Sequence, residues 1–129
     1  MMPKHKMIEK LKEWYDAWNK HDLVGVMALL HDDIVFDSWT GRRIQGRKNL
    51  QRAWKAWFEN HNNFNFTEVE TCIDEDQQKA LFRWILDWTP TASYGKVISN
   101  FRERREGIDV LHFCDNKIIK KLTYSKIEA

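Results

Sequence analysis

At 129 residues the chain has the length of one domain and can bury roughly two thirds of its unfolded surface. Its 43% hydrophobic and 31% charged residues exclude disorder and a membrane-embedded chain, and a net charge of +2 is too small to make a nucleic-acid surface. Two cysteines, Cys72 and Cys114, are too few for a disulfide framework or a zinc site, so two reduced thiols in a cytoplasmic protein are expected. The unusual quantity is the aromatic share, 13% with 7 Trp, which suggests either a bulky core or a concave wall around an apolar ligand.

Pro3 to Lys20 reads as a helix, because Met7, Leu11, Trp14 and Trp18 recur at helical spacing and Ile8 and Tyr15 widen the apolar stripe. After Asn19-Lys20-His21, Asp22 caps a second short helix running through Leu30, with Leu23, Val26, Met27 and Leu30 inward. His31-Asp32-Asp33 ends it and the period changes to two. Ile34 to Trp39 is then a strand, and Thr40-Gly41-Arg42-Arg43 the turn of a short hairpin ending near Gly46. Arg47 to Asn60 returns to helical spacing, with Leu50, Trp54, Trp57 and Phe58 on one side. Beyond the polar Asn60-His61-Asn62-Asn63 loop come the strands Phe64 to Ile73, Lys79 to Thr89, Lys96 to Cys114 and Lys117 to Lys126. Asp74-Glu75-Asp76-Gln77 and Asp115-Asn116 are hairpin turns, the second short enough to favour type I′ geometry, and Pro90 to Gly95 joins the middle pair.

Three early helices, a small hairpin between them and a long antiparallel meander predict a single α+β domain over residues 1–129, its helices gathered on one face of a curled antiparallel sheet. Met1 to Lys12 alternates charged and apolar residues and does not read as a signal peptide. No stretch approaches the ~20 apolar residues of a membrane span.

The run Trp14-Tyr15-Asp16-Ala17-Trp18-Asn19-Lys20-His21-Asp22-Leu23, followed by Met27-Ala28-Leu29-Leu30-His31-Asp32-Asp33, resembles the opening of the nuclear transport factor 2-like superfamily. That superfamily includes the ketosteroid isomerases and the SnoaL-like polyketide cyclases. Arg105-Glu106-Gly107-Ile108-Asp109-Val110-Leu111-His112-Phe113, then Asp115-Asn116-Lys117-Ile118-Ile119, resembles the last two strands of SnoaL-like members, and Gly46-Arg47 fits the start of the family's third helix. The resemblance covers nearly the whole chain. It implies a cone-shaped α+β barrel with a deep pocket and a sheet-to-sheet homodimer, but no particular reaction, because the fold hosts isomerases, cyclases, hydratases and inert binding modules.

The first candidate for chemistry is Asp109, which shares one strand face with Leu111 and Phe113 while Val110 and His112 take the other. Among apolar neighbours its carboxyl is expected to stay neutral and donate to a developing oxyanion, and Ile108-Asp109 followed by Phe113 resembles the isomerase segment that carries such an acid. The alternative is a solvated strand aspartate next to Arg105 or Lys121. The second candidate is Asp37, near the place where ketosteroid isomerases carry their general base. Ser38 stands at the matching position, and a one-residue offset points Asp37 to the opposite face of a regular strand unless a bulge restores it. Trp14 stands where the family's oxyanion-hole tyrosine would be, and an indole N–H donates a hydrogen bond but delivers no proton near neutral pH. The histidine and aspartate of SnoaL-type cyclases correspond to Asp109 and Thr123 here.

Phe82, Trp84, Leu86 and Trp88 alternate on one strand face, either as a ligand platform or as a core or dimer face. Arg83 and Asp87 are a candidate pocket ion pair, the Arg102, Arg104, Arg105 run reads as a solvated strand edge, and the five histidines show no metal spacing. The resulting expectation is a homodimeric domain without cofactor or metal, without nucleic-acid or membrane partners, that binds a small apolar or polycyclic molecule. Trp14, Tyr15, Trp18, Trp54, Trp57, Trp84, Trp88, Leu111 and Phe113 are its expected ligand contacts. As an enzyme it would carry out acid/base chemistry beside a carbonyl, with Asp37 removing a proton and Asp109 and the Trp14 N–H stabilising the enolate. As a non-catalytic module the same pocket would only bind or support dimerisation.

Overall fold

The computed structural model describes residues 1–91 and 101–126. Its elements are α1 (Lys4–Asn19), α2 (Leu23–Ala28), β1 (Leu30–Asp37), β2 (Arg43–Gln45), α3 (Arg47–Asn60), β3 (His61–Asp74), β4 (Lys79–Pro90), β5 (Glu103–Cys114) and β6 (Lys117–Ser125). The expected strand from Lys96 is therefore described from Glu103 onward. Residues 92–95 of the expected Pro90 to Gly95 connection, and residues 96–100, lie outside the described residues.

Helix α1 buries the stripe read from its spacing, Met7, Leu11, Trp14 and Trp18. In α2 the Asp22 carboxylate accepts from the Gly25 N–H at 2.9 Å, which satisfies one of the open donors of the first turn. The expected run of this helix to Leu30 is not observed: it stops at Ala28, and Leu30 instead opens β1, where it pairs with Ile118. Helix α3 follows Gly46, whose φ of +88° lies in the region that glycine enters without steric cost.

The sheet has six strands in the order β2-β1-β6-β5-β4-β3. Here the expectation of a wholly antiparallel sheet is corrected, because β1 and β6 pair in parallel. A parallel neighbour requires a crossover, and everything from β2 to β5 supplies it. The sheet does not close on itself, so β2 and β3 are its edges. Helices α1 and α3 pack against β3 and β1, and the buried core lies between them and one sheet face.

Register decides which residues meet there. Across β5, Asp109 pairs with Phe82 on one side and Thr123 on the other, Gly107 pairs with Trp84, and Leu111 with Lys121. Directly opposed residues share a face, so these side chains all point toward the helices. The Asp115-Asn116 turn has positive φ at both residues, 52° and 63°, as a type I′ hairpin requires. Just beyond it the β5–β6 register shifts between His112 and Phe113, leaving Ile119 as an extra residue. That bulge lets both Ile118 and Lys121 face inward although they are three residues apart.

Candidate functional site

A cavity of about 350 Å³ opens between the helices and the concave sheet face. Trp14, Tyr15 and Trp18 of α1, Trp54 and Trp57 of α3, and Phe82, Trp84 and Trp88 of β4 line it, together with Phe36, Ile44, Phe66 and Leu86. Trp18 sits at the centre of this wall, its ring 4.9 Å from Trp54, 5.5 Å from Trp14 and 5.7 Å from Trp57, all edge-to-face. Opposite Trp84 the chain carries Gly107, where any Cβ would overlap the indole ring, so the bare backbone makes room for that wall. The Trp84 Nε1 donor is buried with no partner among the described residues.

Seven of the nine expected contact residues line the cavity. The other two do not: Leu111 is fully buried and Phe113 nearly so, both in the core rather than on the cavity wall. The row Phe82, Trp84, Leu86, Trp88 faces the cavity. Phe36, Ser38, Trp39, His61, Arg105, Lys121 and Thr123 also line it and were not among the expected contacts.

Asp109 lines the cavity and is buried, but not among apolar groups alone. The Thr123 hydroxyl donates to its Oδ1 at 2.7 Å, the Lys121 ammonium lies 3.2 Å from the same oxygen, and Lys121 also donates to Thr123 at 2.6 Å. Lys121 is itself buried, with its Nζ 4.6 Å from the centre of the Phe36 ring and 5.6 Å from that of Trp54. Burial pushes the Lys121 amine below the usual lysine range, and the Asp109 carboxylate pulls the other way. The isolated neutral acid expected at Asp109 is thus replaced by a hydrogen-bonded ion pair at one end of the cavity.

Asp37 is elsewhere. Phe36 and Ser38 line the cavity, and Asp37 between them lies on the outer face of β1, paired across to Leu122. Its two carboxylate oxygens accept from Arg43 at 2.6 and 3.0 Å. These hydrogen bonds lower its pKa against the opposing effect of desolvation, and the charges of Arg43 and Lys120 add to the lowering. The β1 ladder is regular from Val35 to Asp37, so no bulge turns the side chain inward, and Asp37 and Asp109 do not converge.

A different basic group does line the cavity. His61 stacks on Trp57 with ring centres 4.0 Å apart, and its Nδ1 is 2.7 Å from the Trp57 carbonyl oxygen. A carbonyl only accepts, so Nδ1 carries the hydrogen and Nε2 of the neutral ring keeps its lone pair. Burial lowers the His61 pKa against the raising effect of that bond, and the charge of Arg105 adds to the lowering.

The remaining sequence candidates resolve plainly. Arg83 pairs with Glu70 at 3.1 Å, and Asp87 accepts from the Nε of Arg102 at 2.8 Å, so Arg83 and Asp87 form no pair with each other. Arg102 and Arg104 remain exposed, whereas Arg105 turns inward from the supposed solvated edge to line the cavity. Away from the cavity, His31, Cys114 and Asp115 bring three potential ligand atoms within 4.8 Å, a cluster made by the fold that no spacing in the sequence reveals.

Helices on the concave face of an open, curved mixed sheet, enclosing an aromatic cavity with a polar end, define a nuclear transport factor 2-like pocket protein. The SnoaL-like domain model matches residues 11–121, and the chain belongs to that family. Among solved structures it is similar to a proposed SnoaL-like polyketide cyclase from Jannaschia sp. CCS1, with 10% identity, a TM-score of 0.82 and coverage of 98% of this chain and 90% of that one. A proposed ketosteroid isomerase from Kribbella flavida DSM 17836 aligns with 16% identity, a TM-score of 0.73 and coverage of 97% and 81%. An NTF2-like protein of unknown function from Mesorhizobium loti aligns with 19% identity, a TM-score of 0.74 and coverage of 98% of both chains. At these identities the likeness is one of fold. No curated protein sequence matches the chain.

Proposed function

We propose that this domain binds a small, mostly apolar ring compound in the aromatic cavity and engages the compound's polar group at Asp109, Thr123 and Lys121. The observation that carries the reading is the cavity itself: about 350 Å³ walled by indole and phenyl rings, with a buried lysine–threonine–aspartate cluster at one end. Calorimetric titration with 2-naphthoate and 2-naphthamide tests it. Saturable binding of either, lost in a cavity-filling Ala53→Phe variant that still folds, is the expected result; binding of neither would overturn the reading.

A second reading, cofactor-free proton transfer beside a carbonyl, has its own support in His61. This ring offers a free Nε2 and is held neutral within the cavity lining, while Arg105, near enough for its charge to act on His61, supplies a donor for the carbonyl oxygen. The base of this reading is His61 instead of Asp37. Its test is the exchange of the α-protons of 2-tetralone in D2O followed by NMR, which should slow to the uncatalysed rate in His61→Asn. An unchanged rate removes His61 from the role.

The reading extends to assembly and compartment. Among the described residues no helix covers the outer face of the sheet, where Leu81, Ile85, Ile108, Val110, Leu122 and Tyr124 lie, and a second copy of the chain is the proposed occupant. The free, exposed Cys72 and Cys114 fit a reducing, cytoplasmic setting.

A further inference from the structure

We infer that the ligand of this cavity is an anion: a ring-bearing carboxylate whose acid group is held by Arg105, assisted by Arg42, with its far end at the Lys121–Thr123–Asp109 cluster. The inference rests on the small-molecule reading above and names the class of molecule.

It follows from the charges that face the cavity. Among the described residues the lining has one carboxylate, Asp109, and three permanent or ordinary cations, Arg42, Arg105 and Lys121. Lys121 and Asp109 compensate each other at 3.2 Å. Arg42 and Arg105 then remain with no carboxylate partner among the described residues, although the nearby arginines are matched: Arg43 with Asp37, Arg83 with Glu70, Arg102 with Asp87 and Arg104 with Glu106. Of the residues outside the described ones, 92–100 contain no Asp or Glu in their sequence, and 127–129 contain one, Glu128. Among the described residues the lining therefore carries an excess of positive charge, which an anionic ligand would balance.

Arg105 is also shaped for the task. Its guanidinium carbon lies 4.1 Å from the centre of the Trp39 ring and 5.9 Å from that of Trp88. Stacking occupies the flat face of a guanidinium and leaves the in-plane N–H donors along its edge, the geometry that grips a carboxylate with two parallel hydrogen bonds. On β5 it stands four residues from Asp109 on the same face, about 13 Å along the strand, with Gly107 between them. A molecule that touches both ends is two or three fused rings long, and the wall it would pass is aromatic.

The test compares 2-naphthoate with its uncharged isostere 2-naphthamide by calorimetry, in the wild type, Arg105→Gln and the rim variant Arg42→Gln. We expect naphthoate to bind about tenfold or more tightly than naphthamide, as a charge-assisted pair gives. That preference should shrink with added NaCl and collapse in Arg105→Gln while naphthamide affinity is retained. NMR should show the His61 pKa rising on naphthoate binding and unmoved by naphthamide, because the carboxylate offsets the charge of Arg105. Equal affinity for the two compounds, or a preference for the amide, overturns the anion and leaves the binding pocket standing. Binding of neither overturns the pocket as well. A preference that survives in both arginine variants also overturns the proposal. Should Arg105→Gln fail to fold, the wild-type preference, its salt dependence and Arg42→Gln still decide.

Discussion

Asp109 and Lys121 are worth more to each other than to the fold. Each has left water, and the attraction between them offsets a desolvation cost of several kcal/mol per ion, so removing one partner strands the other. Asp109→Asn is therefore expected to lose about 3 kcal/mol of stability at pH 7 in urea unfolding. Without the carboxylate the Lys121 amine falls further below its unfolded value of about 10.4, so the unfolded chain binds more protons and the variant's stability should rise as pH climbs through that window. The double change Asp109→Leu with Lys121→Met should recover most of the loss; failure to recover would mean that Thr123 or the wall depends on the charges. At His61 and His112, burial lowers the folded pKa, so protons favour the unfolded chain below about 6.5. Stability is then complete above that value and declines as pH falls through the window. His61→Gln should flatten the acid limb of a stability–pH curve.

The β5–β6 hairpin decides what the cavity contains. Its turn, its strands and the inward phase of Asp109 are all legible in the sequence, because Asp115-Asn116 between two alternating runs is a strong local signal. Lys121 is not. Regular alternation from Ile118, an evident core residue, sends Lys121 outward, and only the extra residue Ile119 reverses it. Arg105 was hidden for a similar reason, since a run of alternating Arg and Glu looks solvated until Trp39 supplies a ring for one guanidinium to cover. The aromatic wall was legible because helical spacing alone groups Trp14 with Trp18 and Trp54 with Trp57. Two variants probe this element. Gly107→Ala should cost about 1–3 kcal/mol and perturb tryptophan emission, since its methyl group overlaps the Trp84 ring. Asn116→Gly should gain several tenths of a kcal/mol in denaturant midpoint, because the turn holds that position at positive φ.

For the molecule as a whole, the outer sheet face is the surface on which the proposed pairing of two copies rests. Val110 lies at the centre of that face, between Leu81 on β4 and Leu122 on β6. Sedimentation at micromolar concentration should give a dimer for the wild type and a monomer for Val110→Glu, with the aromatic cavity on the opposite face keeping its ligand affinity. A monomeric wild type would dispose of the paired sheet.

The parallel pairing of β1 with β6 has a kinetic consequence. Leu30 finds its sheet neighbour at Ile118, far along the chain, so β1 and β2 have no finished sheet to join until β6 has been made. On the ribosome the helices can form early, but the wall holding Phe36 and the floor holding Lys121 meet only once β6 has been made. Such distant pairing gives a high contact order, and refolding is expected in the millisecond-to-second range rather than in microseconds. Changes that weaken the β5–β6 hairpin should slow that phase in stopped-flow experiments, whereas changes in α1 should act mainly on unfolding. Until β6 docks, the apolar edge of β1 stays open, and this is the stage at which a nascent chain is most exposed to aggregation.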